Sequence, residues 1–282
     1  MKFSNPSASI FIPCDQTMEI ALPRITHLGI GAHQDDLEFM AFHGIEACYR
    51  QNDKWFGGVT CTNGAGSSRT GLYKDYSDDE MCEVRRREQE QAAVVGEYAA
   101  MVQLDYPSSS MKDPSNPSPV ADLTALLGAT RPDIVYTHNL ADKHATHVAV
   151  TAAVLKALRA LPPEEQPKQV LGCEVWRGLD WMLDADKFLL DVSGRPNLSA
   201  AIGGIFDSQI AGGKRYDLAV QGRRLANATF FDSHAVDEVE QLWFAMDLTP
   251  LVNDPTLDPV EFAAAFIQRF EEDVRSSLKN YF

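Results

Sequence analysis

Two groups of titratable residues stand out in this chain: His33, Asp35 and Asp36, and then, about a hundred positions later, His138, His144 and His147. A single aspartate at the start of a helix is ordinary capping, stabilising by about 1 kcal/mol. Two adjacent carboxylates removed from water are costly unless a cation or strong hydrogen bonds offset their repulsion. A metal ion removes that difficulty. Catalytic zinc sites usually take three protein ligands from histidine and carboxylate, with one position open to water. His33 and Asp36 are three apart, as are His144 and His147, so each pair can face a common point. Counting candidates gives His33, Asp36 and His147 as ligands, with Asp35 and His144 left over. A spare carboxylate beside such a centre suits a general base, and a spare histidine suits an acid or an oxyanion stabiliser. That division of labour is the chemistry of amide hydrolysis.

These residues need elements to position them. Residues 25–32 read as a buried strand of a parallel sheet, and 37–45 have helical spacing. The first group therefore sits at a strand-to-helix turn, on the sheet edge where open α/β folds bind ligands. A second strand, 55–62, runs into Asn63-Gly64-Ala65-Gly66, a small loop that lets a ligand approach the backbone. A helix over 78–100 opens with the cap Ser77-Asp78-Asp79-Glu80 and has an inner stripe of Met81, Val84, Ala92, Val95 and Ala99. Strand 102–106, a Pro- and Ser-rich loop 107–119 overhanging the site, helix 120–130 and strand 132–136 follow. Helix 146–160 then ends at Pro162-Pro163. This alternation predicts right-handed βαβ units and a Rossmann-like, mostly parallel α/β sheet flanked by helices. We expect one domain, with its core at about 25–160. Residues 161–282 complete the site wall through strands 170–176 and 188–192 and helices 197–210, 219–230 and 259–278. Ile10-Phe11-Ile12 is a candidate edge element.

Composition narrows the partners. The 282 residues are 45% hydrophobic and 23% charged, with 40 acidic against 25 basic side chains and a net charge of -15. Nucleic acid and anionic membranes are poor partners for such a chain, because phosphate binding needs clustered Lys and Arg. The trio Arg85-Arg86-Arg87, set among glutamates, reads as a charged helix face. Five scattered cysteines suggest a reducing compartment and no cysteine zinc site. With no secretory signal and no apolar run of ~20 residues, the expectation is a soluble, cytoplasmic protein. A nicotinamide oxidoreductase needs a Gly-rich turn after the first strand, and His33-Gln34-Asp35-Asp36 would repel a pyrophosphate there.

The motif Ala32-His33-Gln34-Asp35-Asp36, followed by Asp142-x-His144-x-x-His147, resembles the PIG-L or LmbE-like deacetylases. These are metal-dependent enzymes that remove acetyl groups from N-acetylglucosamine-type sugars. Thr62-Asn63-Gly64, Arg85-Arg86-Arg87-Glu88 with Ala92-Ala93, and Ser208-Gln209 agree with the likeness, which spans residues 25–230. The resemblance implies Zn2+, with Fe2+ or another divalent metal as substitutes, held by His33, Asp36 and His147. It implies Asp35 as general base and His144 as the residue that polarises the carbonyl or protonates the amine. Arg85 matches a position that reaches the substrate, a small-molecule N-acetylated amino sugar; a surface pair with Glu88 is its other reading. Gln34 stands where the family has proline. Ala145-Thr146 replaces a Pro-Asp pair whose aspartate orients the first histidine, and Asp142 is the candidate to support His144 instead. The loss of that aspartate also suggests the competing reading, a metal- and sugar-binding member without turnover. Conjugates of inositol, malate, chitobiose or antibiotic sugars all fit the sequence.

Overall fold

Apolar, β-branched runs interrupted by Gly and Pro give eight strands in the computed structural model, which describes residues 1–14 and 16–282. They are β1 (Ser9–Phe11), β2 (His27–Gly31), β3 (Phe56–Thr62), β4 (Ala100–Tyr106), β5 (Ile134–His138), β6 (Gln169–Cys173), β7 (Phe188–Asp191) and β8 (Leu242–Asp247). All eight join one sheet in the order β1-β4-β3-β2-β5-β6-β8-β7. The five central strands, β4 to β6, are parallel. Antiparallel pairs close both margins, with β1 on β4, β8 on β6 and β7 on β8. The fold is α/β with a mostly parallel sheet, as expected.

Every residue of β2 and β3 is buried, so helices cover both faces of the sheet there. On one face Leu28, Ile30, Val59 and Val135 pack with Leu123, Leu127, Val150 and Val154 from the helices Ser118–Thr130 and Ala145–Arg159. The other face holds Leu37, Phe42, Ile45, Phe56, Tyr98 and Tyr136. Helix Asp36–Met40 lies close on β2, because a Cβ at Gly29 would come within 2.8 Å of Phe56 and 3.0 Å of Leu37. The chain order reverses at β2, with β3 and β4 on one side and β5 and β6 on the other. A crevice opens at such a switch point. The two titratable groups leave the sheet at the ends of β2 and β5.

Several boundaries differ from expectation for local reasons. The helix expected over 37–45 is two, Asp36–Met40 and Phe42–Cys48, broken at Ala41 with φ -106 and ψ 16. The helix expected over 197–210 likewise splits into Pro196–Gly203 and Asp207–Ile210 around Gly204. The helix from Asp78 stops at Val95 before Gly96, leaving Ala99 in the connection and Ala100 to open β4. Loop 107–119 contains a helix, Ser108–Lys112, seated by buried Met111. The fourth expected strand runs on to His138, and β8 was not anticipated. The five cysteines are free. Among the described residues no helix is long and apolar enough to cross a membrane.

Candidate metal centre and active site

The two adjacent aspartates serve different neighbours because the backbone turns sharply between them. Asp35 has φ 93, in the left-handed region, at a cost of order 1 kcal/mol for a non-glycine residue. Although it precedes helix Asp36–Met40, its side chain makes no cap bond. Its N–H donates instead to Gln89 Oε1 at 3.1 Å. Asp36 Oδ2 accepts the His33 main-chain N–H at 2.7 Å. The same oxygen lies 3.3 Å from His33 Nδ1, 3.3 Å from His138 Nε2 and 3.5 Å from His147 Nε2. Burial pushes the Asp36 carboxyl up, but His147 and His138 outweigh it and hold the pKa well below the usual carboxylate range.

Two overlapping groups could hold a metal ion, His33 with His144 and His147, and Asp36 with His138 and His147. Local bonding separates ligands from supports. His138 Nε2 accepts the Ala32 main-chain N–H at 2.8 Å, which occupies its lone pair. His138 stacks on His147 at 3.8 Å and 15°, and burial pushes its pKa down to about 4, so it packs behind the other histidines as a support. Residue type alone gives His138 no role; the signal for one is its place at the end of an apolar strand. With His144 also set aside, because its Nδ1 accepts the Thr146 main-chain N–H, three atoms remain: His33 Nδ1, Asp36 Oδ2 and His147 Nε2. His147 Nε2 is 3.2 Å from His33 Nδ1, so the three separations are 3.2, 3.3 and 3.5 Å. Ligands about 2.0–2.2 Å from a tetrahedral zinc stand roughly 3.3–3.6 Å apart, so these residues fit a divalent ion.

Asp142 and His144 do not bond as expected. Asp142 Oδ1 accepts the main-chain N–H of His144 at 2.7 Å, and Oδ2 faces His147 Nδ1 at 3.1 Å. Asp142 thus orients the His147 ring and leaves the His144 ring alone. A short side chain can close a turn onto the residue two ahead and still reach the first helical turn beyond it. That bond places the His147 proton on Nδ1 and turns the Nε2 lone pair to the centre. His144 is held from the other side, with Nδ1 accepting the Thr146 main-chain N–H at 3.3 Å. Its neutral ring therefore carries the proton on Nε2. Burial and the neighbouring His147 and His33 lower its pKa, and Trp176 stacks on it at 6.3 Å and 12°.

Arg85 overturns the surface reading of the arginine trio. It is 2% exposed and donates to Asp35 Oδ2 at 3.2 and 3.3 Å and to the Gln34 carbonyl. Only its neighbours behave as a charged face, with Arg86 on Asp105 at 3.3 Å and Arg87 on Glu83 at 2.7 Å. Glu88, 4.0 Å from Arg85, accepts from the Ser208 N–H and Oγ at 2.7 and 2.6 Å, fastening helix Asp207–Ile210 beside the site. Gln89 Nε2 donates to Glu38 Oε1 at 2.8 Å, which also takes the Tyr98 hydroxyl at 2.7 Å. Arg85 and Gln89 sit between Met81 and Ala92 on the buried face of helix Asp78–Val95. Both are polar, so a stripe defined by apolar residues does not include them. Burial raises Asp35 to about 6, with Arg85 opposing. Arg85→Ala should therefore keep the metal and move the acid limb of the rate profile to higher pH. Removing one partner of a buried pair should also destabilise the fold, towards the lower end of ~3–5 kcal/mol because Asp35 can take up a proton. A pH–rate profile with a melting curve checks this; an unmoved limb would detach Arg85 from Asp35.

His33, Asp35, Asp36, Arg85, His144 and His147 border a cavity of about 400 Å³, inside the usual range for small-molecule sites. Phe39, Trp176 and Tyr216 form an aromatic wall, with Tyr216 6.1 Å from Trp176 and 5.8 Å from Phe39. Residues beyond 161 thus reach the site through Trp176, Gln209, Lys214 and Tyr216.

Residues 28–158 match the model of the PIG-L family, GlcNAc-PI de-N-acetylase. No curated protein matches the chain. Among solved structures, the conserved protein TT1542 from Thermus thermophilus is 17% identical, with 83% of this chain and 99% of that one covered at TM-score 0.62. GalB, the 4-carboxy-2-hydroxymuconate hydratase from Pseudomonas putida, is 16% identical, covering 79% and 96% at TM-score 0.62. The N,N'-diacetylchitobiose deacetylase from Pyrococcus horikoshii is 16% identical, covering 77% and 82% at TM-score 0.57. At such identities the likeness shows a common fold. The segment that carries His33, Asp35, Asp36, His138, His144 and His147 is thus a PIG-L family match, as its motifs implied.

Proposed function

We propose that the protein is a metal-dependent N-deacetylase of an N-acetylated amino sugar or its conjugate. The observation that carries this reading is the set of 3.2–3.5 Å separations among His33, Asp36 and His147, beside a buried, arginine-paired Asp35. His33, Asp36 and His147 would hold a divalent ion, which would supply Lewis acidity towards an amide carbonyl and acidify water. Asp35, anchored through Oδ2 by Arg85, takes the proton of the attacking water. His144, neutral and protonated on Nε2, donates a hydrogen bond to the carbonyl oxygen as charge develops there, and the proton taken up by Asp35 passes to the departing nitrogen as the C–N bond breaks. Phe39, Trp176 and Tyr216 offer apolar surface to a sugar ring.

Acetate release from a panel of N-acetylglucosaminides is the direct test. Acetate should appear in step with free amine, stop on chelation and return with zinc or ferrous iron. Fully metallated protein that binds these sugars but releases no acetate would favour the member without turnover. One observation favours a second reaction, hydration of an unsaturated carboxylic acid: Lys112 and Lys214 border the cavity, where a carboxylate substrate would meet them. The hydratase GalB has the same fold.

A further inference from the structure

We propose that the outer part of the cavity is an anion subsite, in which Lys112 and Lys214 hold a carboxylate or phosphate borne by the substrate away from its reacting amide. Its identity as part of a sugar rests on the deacetylase reading; the anion does not. The chain has a net charge of -15, yet both lysines that line this cavity are exposed and stand outside every ion pair among the described residues. Among the described residues the carboxylates lining the cavity are Asp35 and Asp36, engaged by Arg85 and by the histidines. The outer part is therefore positive, and a low-dielectric cleft focuses that field on an incoming ligand.

The two lysines come from separate, anchored segments. Lys112 ends helix Ser108–Lys112, beside buried Met111. Lys214 follows a tight turn in which its N–H donates to Gln209 O at 2.8 Å. A Cβ at Gly212 would fall 1.9 Å from Ser208 O, so that backbone has no freedom to carry a larger residue. Tyr73 donates to Asp207 at 2.6 Å, tying the turn to the loop after β3. Ser67, Ser68 and Ser108 border the same space and add hydroxyl donors.

Calorimetric titration of the zinc-loaded protein tests this with N-acetylglucosamine, its 1-phosphate, its 6-phosphate and N-acetylmuramic acid, which carries a carboxylate. At low salt at least one anionic probe should bind tenfold or more tightly than the neutral sugar, and added salt should erode that advantage. The probe that wins distinguishes a phosphate from a carboxylate. Lys112→Ala and Lys214→Ala should each weaken the anion about tenfold, the scale of one charge-assisted hydrogen bond, and leave N-acetylglucosamine unchanged. Equal affinity for neutral and anionic probes overturns the subsite. So does an advantage that survives both substitutions, because the anion then sits on the metal. Acetate is read separately: a lysine-dependent anion preference without acetate release removes the deacetylase reading and leaves the subsite standing.

Discussion

Asp35→Asn leaves the metal bound and the fold intact while kcat falls by about 10²–10⁴-fold, the usual range for a general base. The reason is local. Asp35 and Asp36 are neighbours in sequence, but the left-handed backbone at Asp35 sends its carboxylate to Arg85 and the Asp36 carboxylate among the histidines. Asparagine keeps the shape and one hydrogen-bond acceptor for Arg85 and loses only the ability to take a proton. The pH dependence gives a second reading of the same event. Burial raises Asp35 to about 6 against the pull of Arg85. The carboxylate is the working form, so wild-type activity falls as pH drops through that region, and the limb should disappear in the variant. A bound cation lowers the midpoint without changing its sign. Metal analysis with a pH–rate profile decides the matter. If Asp35→Asn loses the metal while Asp36→Asn retains it, the two roles are exchanged. Unchanged activity in both variants would remove the site from catalysis.

His147→Ala abolishes both metal binding and turnover. Its Nε2 makes two of the three short separations in the cluster, 3.2 Å to His33 and 3.5 Å to Asp36, so its loss opens one side of the centre. Purified wild-type protein should carry about one divalent ion per chain, zinc or exchangeable iron, since nitrogen and oxygen ligands separate these metals poorly. Asp142→Asn should have a smaller effect of the same kind, a 10–100-fold loss of metal affinity, because it disturbs only the bond that orients the His147 ring. Atomic emission on dialysed protein, with competition against a chelator, measures both. Full occupancy in His147→Ala would move the centre to other residues. An Asp142→Asn effect seen only on His144-dependent steps would return Asp142 to the role first expected of it.

These outcomes divide along the line between what is local in the chain and what is not. Alternation of apolar strands with helices is local, so β2 to β6 and the helices at Asp78–Val95, Ser118–Thr130 and Ala145–Arg159 could be read with errors confined mostly to their ends. The capping box at Ser77 and Glu80 was legible for the same reason, because both partners lie within one turn. Residue type and spacing also named His33, Asp36 and His147, which the fold brings within 3.5 Å of one another. The allocation of partners was not legible. Arg85 and Gln89 look like surface residues in a sequence of alternating charges, and only packing of that helix over the turn after β2 buries them against Asp35. The aromatic wall and Lys214 arrive from beyond residue 161, across separations where no pattern connects them to His33. Composition, periodicity and spacing thus determined the sheet, the edge at which the titratable residues gather and the residue types there. Which aspartate steadies which ring, which groups engage Asp35 and what else faces the cavity were decided by tertiary structure. Those choices depend on a single positive φ and on contacts between distant segments, and neither leaves a periodic trace in the chain.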